Sequence, residues 1–333
     1  MTTLEVIRAW QRILAGRCPS LSIEITRECP LRCPGCYAYE ENHLGGSITL
    51  RQLADTKGDA LVAGVLELVD SYRPLHLSLV GGDPLVRYRE LEILVPMLTQ
   101  KGVHVQIVTS AFRALPASWA HLPKSNVVVS IDGLQPEHDI RRAPATYERI
   151  LQNISGHRIT IHCTITSQMM RRPGYLEDFL RFWTPRPEIV RVWMSIFTPQ
   201  KGTVLPECLT PAQRRQVIDE LSVLRGAYPK LDMAESLIRE FSHPPRSPDE
   251  CIFAQTTQVI SADLKTHVKP CQFGGNPDCS QCGCMASMGL AAVGHYRLAG
   301  LLPVGAVFRT SRRFGSIIRK MHSNGSPFHI LPA

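Results

Sequence analysis

Residues 26–39, TRECPLRCPGCYAY, hold three cysteines in the spacing Cys-x3-Cys-x2-Cys: Cys29, Cys33 and Cys36. Three thiolates this close together can bind one iron–sulfur cluster and leave one iron without a protein ligand. A structural zinc site normally needs four protein ligands, and the nearest additional histidine, His43, lies outside this stretch. The stretch, called the cysteine loop below, therefore predicts an iron–sulfur cluster with one open position. Zinc and three buried free thiols are the alternatives.

Strand-like apolar runs alternate with helical segments on both sides of this loop. The predicted strands are 21–26, 75–80, 103–108, 127–131, 159–164 and 190–196, and helical segments include 50–71, 90–100, 211–228 and 232–241. This alternation predicts a mostly parallel α/β sheet built from βα units. Polar residues recur on one face of several strands, for example Ser22, Glu24, Ser78, Thr160 and His162. They favour an open barrel with a polar cavity, the alternative being a sheet edge that faces solvent.

Four segments with chemical potential follow the ends of the first four strands. The cysteine loop follows the first, Gly81-Gly82-Asp83-Pro84 the second and Thr109-Ser110-Ala111 the third, while Ser130-Ile131-Asp132-Gly133 ends the fourth. Because sites in parallel α/β folds gather at the carboxyl ends of the strands, we expect these segments on one rim. Residues 81–84 are called the GGDP loop below.

A second cysteine group lies near the C-terminus, after a Pro-rich stretch at 243–248 that predicts a domain boundary. Its members are Cys251, Cys271, Cys279, Cys282 and Cys284. Five cysteines are one more than a cluster needs. A four-thiolate zinc ribbon is the alternative to an iron–sulfur cluster here.

These motifs resemble those of the radical S-adenosylmethionine (SAM) superfamily. The GGDP loop is similar to the family's Gly-Gly-Glu-Pro motif, with Asp83 in place of Glu, and the second cysteine group resembles the auxiliary-cluster domains called SPASM and twitch. The resemblance implies an α/β fold, a partial (β/α)6 barrel with a small C-terminal cysteine-rich auxiliary-cluster domain. The expected divisions are an N-terminal helical extension (1–17), the barrel (18–242), the auxiliary iron–sulfur domain (249–290) and a basic apolar tail (291–333).

The resemblance also implies cofactors and their ligands. Cys29, Cys33 and Cys36 would hold the 4Fe–4S cluster whose free iron binds SAM, and Cys251, Cys271, Cys279 and either Cys282 or Cys284 would hold an auxiliary 4Fe–4S cluster. The expected SAM contacts are Gly81, Gly82, Asp83, Pro84, Ser130, Asp132 and Tyr37. Gly35 replaces an aromatic residue often found before the third cysteine, for which Tyr37 supplies a substitute ring. Asp139 and Arg142 are expected to form a structural ion pair, and no catalytic acid or base is assigned.

The activity implied is reductive cleavage of SAM, after which a 5'-deoxyadenosyl radical abstracts hydrogen from a substrate. A peptide or peptide-derived precursor is the expected substrate, a lipid such as a hopanoid or another isoprenoid is the alternative, and a flavodoxin or ferredoxin is the expected electron donor. A function of another class, a zinc-stabilised nucleic-acid-binding protein, would use the net charge of +8. That charge looks diffuse, so no nucleic-acid partner is expected.

The remaining composition places the chain among cytoplasmic proteins. At 333 residues it can bury a sizeable core without disulfides, and its first residues lack the continuous apolar run of a signal peptide. No run of about 18 apolar residues suggests a membrane span. The tail combines an apolar stretch, 285–308, with Arg309, Arg312, Arg313, Arg319 and Lys320. It predicts either peripheral membrane contact or an ordinary helix packed on the barrel.

Overall fold

The computed structural model describes residues 3–40, 42–44, 48–298 and 300–323. The helices are α1 (Thr3–Leu14), α2 (Gly58–Tyr72), α3 (Tyr88–Gln100), α4 (Glu137–Arg142), α5 (Tyr147–Asn153), α6 (Tyr175–Trp183), α7 (Pro211–Ala227), α8 (Glu235–Glu240), α9 (Ile252–Thr256), α10 (Met285–His295) and α11 (Val304–Ser323). The strands are β1 (Ser20–Thr26), β2 (His76–Gly81), β3 (His104–Thr109), β4 (Ser125–Ser130), β5 (Ile159–Ile165), β6 (Ile189–Ile196), β7 (Thr257–Ile260), β8 (Arg297–Leu298) and β9 (Leu302–Pro303). Of the predicted tail, residues 299 and 324–333 and the side chains of Arg319 and Lys320 lie outside the described residues.

Strands β1 to β7 form one sheet in the order β6-β5-β4-β3-β2-β1-β7, and every neighbouring pair is parallel. The sheet is not closed, because β6 and β7 are its two edges. The α/β partial barrel predicted from the sequence is confirmed, and all six predicted strands are present within two residues of their expected bounds. The seventh strand, β7, was not predicted.

The two faces of the sheet differ as the alternating pattern predicted. On β1, Leu21 and Ile23 belong to the main apolar core, while Ser22 and Glu24 point to the other face and are only 1% and 3% exposed. Thr160 on β5 is equally buried. The polar face therefore lies inside the open barrel and not at a solvent-facing sheet edge, which was the alternative.

Two helix boundaries differ from the prediction because nearby side chains and backbone are engaged elsewhere. α2 begins at Gly58 and not near residue 50, since Asp55 accepts hydrogen bonds from Thr26 and Arg27 at the end of β1. α8 begins at Glu235, because the Asp232 amide donates to the Val192 carbonyl of β6.

Residues beyond 248 contribute to the barrel as well as carrying the second cysteine group. β7 pairs with β1 in parallel register, Ser20 opposite Thr257 and Ile23 opposite Ile260. Further along the chain, α11 packs against α1 and α10. Within the described part of the chain, no helix is long and apolar enough to cross a bilayer.

Candidate active site

The cysteine loop leaves the carboxyl end of β1 and closes in short turns. The Leu31 amide donates to Cys29 Sγ at 3.4 Å, and the Cys36 amide donates to the Cys33 carbonyl at 3.3 Å. Burial raises the pKa of the Cys29 thiol to about 11 and also raises the pKa of Cys36. A bound metal reverses this preference, because a coordinating thiol is deprotonated. The donor set, three cysteines with amide N–H groups around them, therefore fits a cysteine-ligated cluster.

A charged network holds the stem of this loop. Asp55 accepts from Thr26 Oγ1 at 2.6 Å, from the Arg27 amide at 2.9 Å and from Arg27 Nε at 2.8 Å. Glu28 accepts from Arg87 at 2.6 Å and from Lys57 at 2.7 Å. The hydrogen bond from Arg87, followed by that from Lys57, lowers the pKa of Glu28 to about 2. The loop thus starts from a stem fixed by residues of the segment just before α2 and of the segment after β2.

The GGDP loop packs on the same stem through its backbone. The Gly82 amide donates to the Thr26 carbonyl at 2.7 Å, and the Asp83 amide donates to the Glu28 carbonyl at 3.0 Å. A Cβ at Gly81 would overlap the Thr26 carbonyl oxygen, and a Cβ at Gly82 would overlap that of Glu28. Both glycines are thus needed for the close approach of two backbones.

The Asp83 carboxylate lies between the ends of β2 and β3 and is only 2% exposed. One oxygen accepts from the Leu85 amide at 3.0 Å and from Thr109 Oγ1 at 2.7 Å; the other accepts from the Ser110 amide and hydroxyl, at 2.8 and 2.6 Å. Burial raises the pKa of Asp83, and these hydrogen bonds, which lower it, only partly offset the effect of burial. The side chain therefore ties two rim loops together, while its predicted contact with SAM stays a prediction.

A cleft of about 370 Å³ opens beside Cys29 on this rim. Its lining residues are Glu28, Cys29, Pro30, Val86, Phe112 and Arg113. The Arg113 guanidinium carbon lies 3.5 Å from the centre of the Tyr88 ring, which orients the arginine at the edge of the cleft. The volume lies within the usual range for small-molecule sites.

Asp132, after the end of β4, belongs to a buried ion network that sequence reasoning missed. Its carboxylate pairs with Arg142 at 2.7 Å and with Arg141 at 3.2 Å, and it accepts from the Thr164 amide at 2.9 Å. Arg141 also pairs with Glu207 at 3.2 Å. Burial tends to raise the pKa of Asp132, but the two arginines outweigh it and lower the pKa well below its usual range.

The expected pair between Asp139 and Arg142 was wrong. Arg142 pairs with Asp132, and Asp139 instead accepts from Gln135 and from the Tyr147 amide. Burial opposes the charged form of Arg142, yet Asp132, and then Cys33 and Cys36, raise the pKa of this guanidinium. Arg142 thus places positive charge next to the cysteine loop, and its partner Asp132 holds it there.

A bridge of polar and aromatic side chains lies between the two cysteine groups. The Tyr37 ring is 5.2 Å from the Phe273 ring, edge-on, and 5.8 Å from the His43 ring. His43 is buried, with Nε2 2.5 Å from Glu24 Oε1 and Nδ1 3.1 Å from the Phe273 carbonyl oxygen. The other Glu24 oxygen accepts from Ser261 at 2.7 Å. Burial, and then the charges of Cys36, Glu24, Cys284 and Cys271, raise the pKa of Tyr37, so its phenol lies near both groups.

All five members of the second cysteine group line one cavity, together with side chains such as Phe253, Phe273 and Pro277. Cys251 Sγ lies 3.1 Å from Ser287 Oγ. Burial, followed by the neighbouring cysteines, raises the pKa of Cys271 to about 12 and that of Cys279 to about 11. Five thiols around one enclosed space match the donors of a cysteine-ligated cluster. Among the described residues, no three His, Cys, Asp or Glu side chains are grouped as ligands for a single metal ion.

Hydrogen bonds tie the second cysteine group to the end of β6 and to the segment after the cysteine loop. At the end of β6, the Ile196 amide donates to the Gly283 carbonyl at 2.9 Å and the Gly283 amide donates to Thr198 Oγ1 at 2.9 Å. After the cysteine loop, the Gly275 amide donates to the His43 carbonyl at 2.9 Å. The segment from 271 to 284 therefore joins the end of β6 to His43.

Arg214 of α7 supports this segment from outside. Its guanidinium donates to the carbonyls of Gln281 at 2.7 Å, Cys282 at 3.0 Å and Phe241 at 2.9 Å. Such a site is not visible in the sequence, because the arginine and the cysteine are 68 residues apart.

The family comparison joins these observations. Residues 23–178 match the model of the Radical SAM superfamily, and this stretch includes both the cysteine loop and the GGDP loop. Residues 23–178 are thus similar to a radical SAM domain. No curated protein sequence matches the chain as a relative.

Solved structures of radical SAM enzymes resemble the fold around this domain. Streptococcus suis SuiB bound to S-adenosylmethionine matches with a TM-score of 0.52 and 15% identity, covering 78% of this chain and 60% of that one. SuiB bound to the precursor peptide SuiA matches with a TM-score of 0.55 and 16% identity, covering 78% of this chain and 61% of that one. Native anSMEcpe with bound AdoMet gives 0.54 and 16%, covering 81% of this chain and 80% of that one. The chain thus spans about three fifths of SuiB, and at these identities the likeness concerns the fold.

Within residues 23–178, the four segments predicted on one rim lie at the carboxyl ends of β1 to β4. Several of the side chains predicted to contact SAM are bonded to other groups of the protein. Ser130 ends β4 opposite His162 of β5, and His162 Nε2 lies 2.8 Å from Ser195 Oγ on β6. Burial lowers the pKa of His162. Pro84 begins a buried turn, residues Pro84–Arg87, directly after Asp83. The roles of these residues toward SAM stay predictions.

Proposed function

We propose that the protein is a radical SAM enzyme that holds a 4Fe–4S cluster through Cys29, Cys33 and Cys36 and cleaves SAM there. One observation carries the proposal: the three-cysteine loop at the end of β1 is hydrogen-bonded to the GGDP loop at the end of β2, within the stretch that matches the superfamily. When reduced and bound to SAM, such a cluster supplies an electron that yields methionine and a 5'-deoxyadenosyl radical able to take hydrogen from a substrate.

The protein's own residues would bind, orient and shield the reactants. The cleft beside Cys29, lined also by Val86, Phe112 and Arg113, is the proposed SAM site, because it is next to the cysteine that opens the loop. The GGDP loop would offer SAM its backbone, since the Asp83 oxygens already accept four hydrogen bonds from protein groups.

Polar groups of the barrel interior would complete this site. Ser130 and Tyr37 are proposed as further SAM contacts. Arg142, held by Asp132, would place positive charge beside the cysteine loop, and hydrogen bonding and charge near a cluster are levers on its potential. Asp132 would then act through Arg142 as a positioning residue.

We further propose that four members of the second cysteine group hold an auxiliary 4Fe–4S cluster of the SPASM or twitch kind. The five thiols line one cavity with apolar walls, and the segment 271–284, which carries four of them, is hydrogen-bonded to the end of β6 and to His43. Tyr37 would lie near a cluster held by either group, since cysteines of both groups influence its phenol.

The proposed substrate is a peptide or peptide-derived precursor, and a flavodoxin or ferredoxin is the proposed reductant in the cytoplasm. SuiB, which shares the fold, was solved with its precursor peptide SuiA bound. The polar interior of the open barrel suits a substrate with backbone amide groups, because buried polar side chains there need hydrogen-bond partners. Ser22 Oγ is one such buried atom without a partner among the described residues.

The test is the metal content and SAM response of anaerobically reconstituted protein. Wild type should hold about eight irons, and replacing Cys29, Cys33 and Cys36 with Ala should leave about four, those of the second group. Dithionite-reduced wild type should show a SAM-dependent change in its electron paramagnetic resonance spectrum and form 5'-deoxyadenosine, and the triple variant should do neither.

A matched control replaces Cys18 and Cys208, which lie outside both groups, with Ala. It should keep all the iron and the SAM response. Stoichiometric zinc without a SAM response, or SAM cleavage retained in the triple variant, would overturn the proposal.

A further inference from the structure

The C-terminal helix α11 is fixed to the rest of the protein by one face. The rings of Phe308 and Trp10 of α1 meet edge to face, with centroids 6.3 Å apart. Gly315 lies against the end of α1, where a Cβ would overlap the Ile13 carbonyl oxygen and approach Gly16 to 2.8 Å. Glycine at 315 therefore lets the two helices touch and sets the rotation of α11 about its own axis.

That rotation leaves large apolar side chains in solvent. Phe314 is 59% exposed and Ile317 is 49% exposed, and the spacing of three residues puts them on one stripe of the helix. Leu301, in the turn before β9, and Leu302, the first residue of β9, are 81% and 51% exposed. Exposed side chains of this size that occur together mark an interaction surface more often than isolated ones do.

A second stripe on α11 is basic. Arg309, Arg312 and Arg313 are all exposed and have the spacing that places them side by side. From residue 279 to the end, the sequence contains six Lys and Arg and no Asp or Glu. Three quarters of the net charge of +8 thus comes from this part of the chain, so the charge is concentrated and not diffuse as the sequence analysis had it.

We propose that α11 docks the protein on an anionic lipid bilayer. The contact, called the α11 surface, consists of Leu301, Arg309, Arg312, Arg313, Phe314 and Ile317. An apolar stripe beside a basic stripe is the pattern of helices that lie in the membrane interface, where aromatic and aliphatic side chains enter the acyl boundary and arginines meet lipid phosphates.

Charge favours this occupant over a second copy of the chain. In a symmetric dimer the same patch of both copies forms the contact, so it would gather six arginines with no acidic residue of the α11 surface to pair with them. Like charges brought together in this way are costly. A bilayer of anionic lipids instead offers both the negative charge and the apolar interior that the two stripes need.

The experiment is vesicle co-sedimentation of the full-length protein. Vesicles of phosphatidylcholine alone are compared with vesicles containing about 30 mol% phosphatidylglycerol, at low and high salt. The protein should bind the anionic vesicles and not the neutral ones, with binding that weakens as salt increases. Replacing Arg309, Arg312 and Arg313 with Gln should weaken binding about fivefold per arginine, hence about 100-fold together.

A charge-matched control replaces three exposed arginines on other parts of the surface, Arg149, Arg158 and Arg215, with Gln. It should bind like wild type. The double variant Phe314→Ser and Ile317→Ser should lose at least about tenfold in affinity without a change in thermal unfolding, because both side chains are exposed.

Three results would overturn the proposal. The first is no preference for anionic vesicles, and the second is an equal loss of vesicle affinity in the two arginine triple variants. The third is a wild-type dimer in light scattering that becomes a monomer in the Phe314→Ser, Ile317→Ser double variant. The last would assign the α11 surface to a second copy.

Discussion

The close packing of the GGDP loop on the cysteine loop makes Gly82→Ala the sharpest test of how the site is built. The Gly82 and Asp83 amides donate to the carbonyls of Thr26 and Glu28 at 2.7 and 3.0 Å. An added Cβ would lie 2.6 Å from the Glu28 carbonyl carbon and 2.8 Å from the Arg27 carbonyl oxygen. All of these atoms are backbone, so no side chain can move aside to relieve the overlap.

The two backbones must separate before Ala fits, since ordinary contacts begin at 3.4 Å. Overpacking of this kind costs about 1–3 kcal/mol, and lengthening the two hydrogen bonds adds about 1 kcal/mol. We therefore expect Gly82→Ala to lower the free energy of unfolding by about 2–4 kcal/mol. The cysteine loop moves with its stem, so the variant should also take up less iron on reconstitution.

The assay is chemical denaturation of the metal-free, reduced protein, together with iron analysis of reconstituted samples. Gly226→Ala is the matched control: it makes the same chemical change in α7, where no heavy atom lies within 4 Å of the added Cβ. It should leave iron content unchanged and stabilise the helix by up to about 1 kcal/mol. If the two variants unfold alike and hold equal iron, while only SAM binding of Gly82→Ala is weakened, the glycine serves the ligand and the packing argument is refuted.

Two further predictions concern the second cysteine group and the bridge next to it. Burial lowers the pKa of His43, but the hydrogen bond and charge of Glu24 outweigh burial and raise the pKa. His43→Gln should therefore lower the free energy of unfolding most below about pH 6.5, and its difference from wild type should narrow as pH rises through the raised pKa. Urea unfolding at several pH values measures this difference. A pH-independent difference would contradict this. Arg214→Gln leaves three carbonyls without their donor and should lower the free energy of unfolding by about 2–4 kcal/mol. The control Arg215→Gln, at an exposed neighbouring residue, should change it by less than about 0.5 kcal/mol. Equal losses of unfolding free energy in the two variants would contradict this role of Arg214.

The sequence allowed prediction of those parts of the fold that are encoded locally. Six strands were found because short β-rich apolar runs alternate with helical segments along the chain, and the polar–apolar alternation within several of them also assigned Ser22 and Glu24 to the polar face. β7 was missed because it has only four residues and its pairing partner β1 lies more than 230 residues earlier. Nothing near Thr257–Ile260 indicates that this strand extends the barrel sheet.

In the site, too, local patterns could be predicted from the sequence, whereas contacts between distant residues could not. The cysteine spacing is local and was sufficient to predict the superfamily whose model matches residues 23–178. The charges that surround it are paired across the fold, so Arg142 was expected to pair with Asp139, three residues away, and instead pairs with Asp132 at the end of a strand. Glu24, His43 and Ser261 likewise meet only after the chain has folded.

Gly35 shows how the two cysteine groups are coupled through packing. Tyr37, expected to replace an aromatic ring missing at this position, has its ring against Phe273 and His43. Phe197, the residue after β6, lies beside Gly35 instead: a Cβ there would come within 2.8 Å of Phe197 Cζ, and the backbone φ of +65° also favours glycine.

Phe197 connects the two cysteine groups, because its ring lies beside Gly35 of the cysteine loop and its chain neighbours are hydrogen-bonded to the second group. Its neighbours Ile196 and Thr198 both bond to Gly283, which stands between Cys282 and Cys284. A displacement of the second cysteine group would therefore pass through Gly283 and the end of β6 to the ring that packs on Gly35, next to Cys36. Because these contacts are a backbone bond, a bond to the short Thr198 side chain and a ring against a glycine, they can absorb little of such a movement. The second cysteine group is thus part of the scaffold that shapes the cysteine loop, whatever its own chemistry.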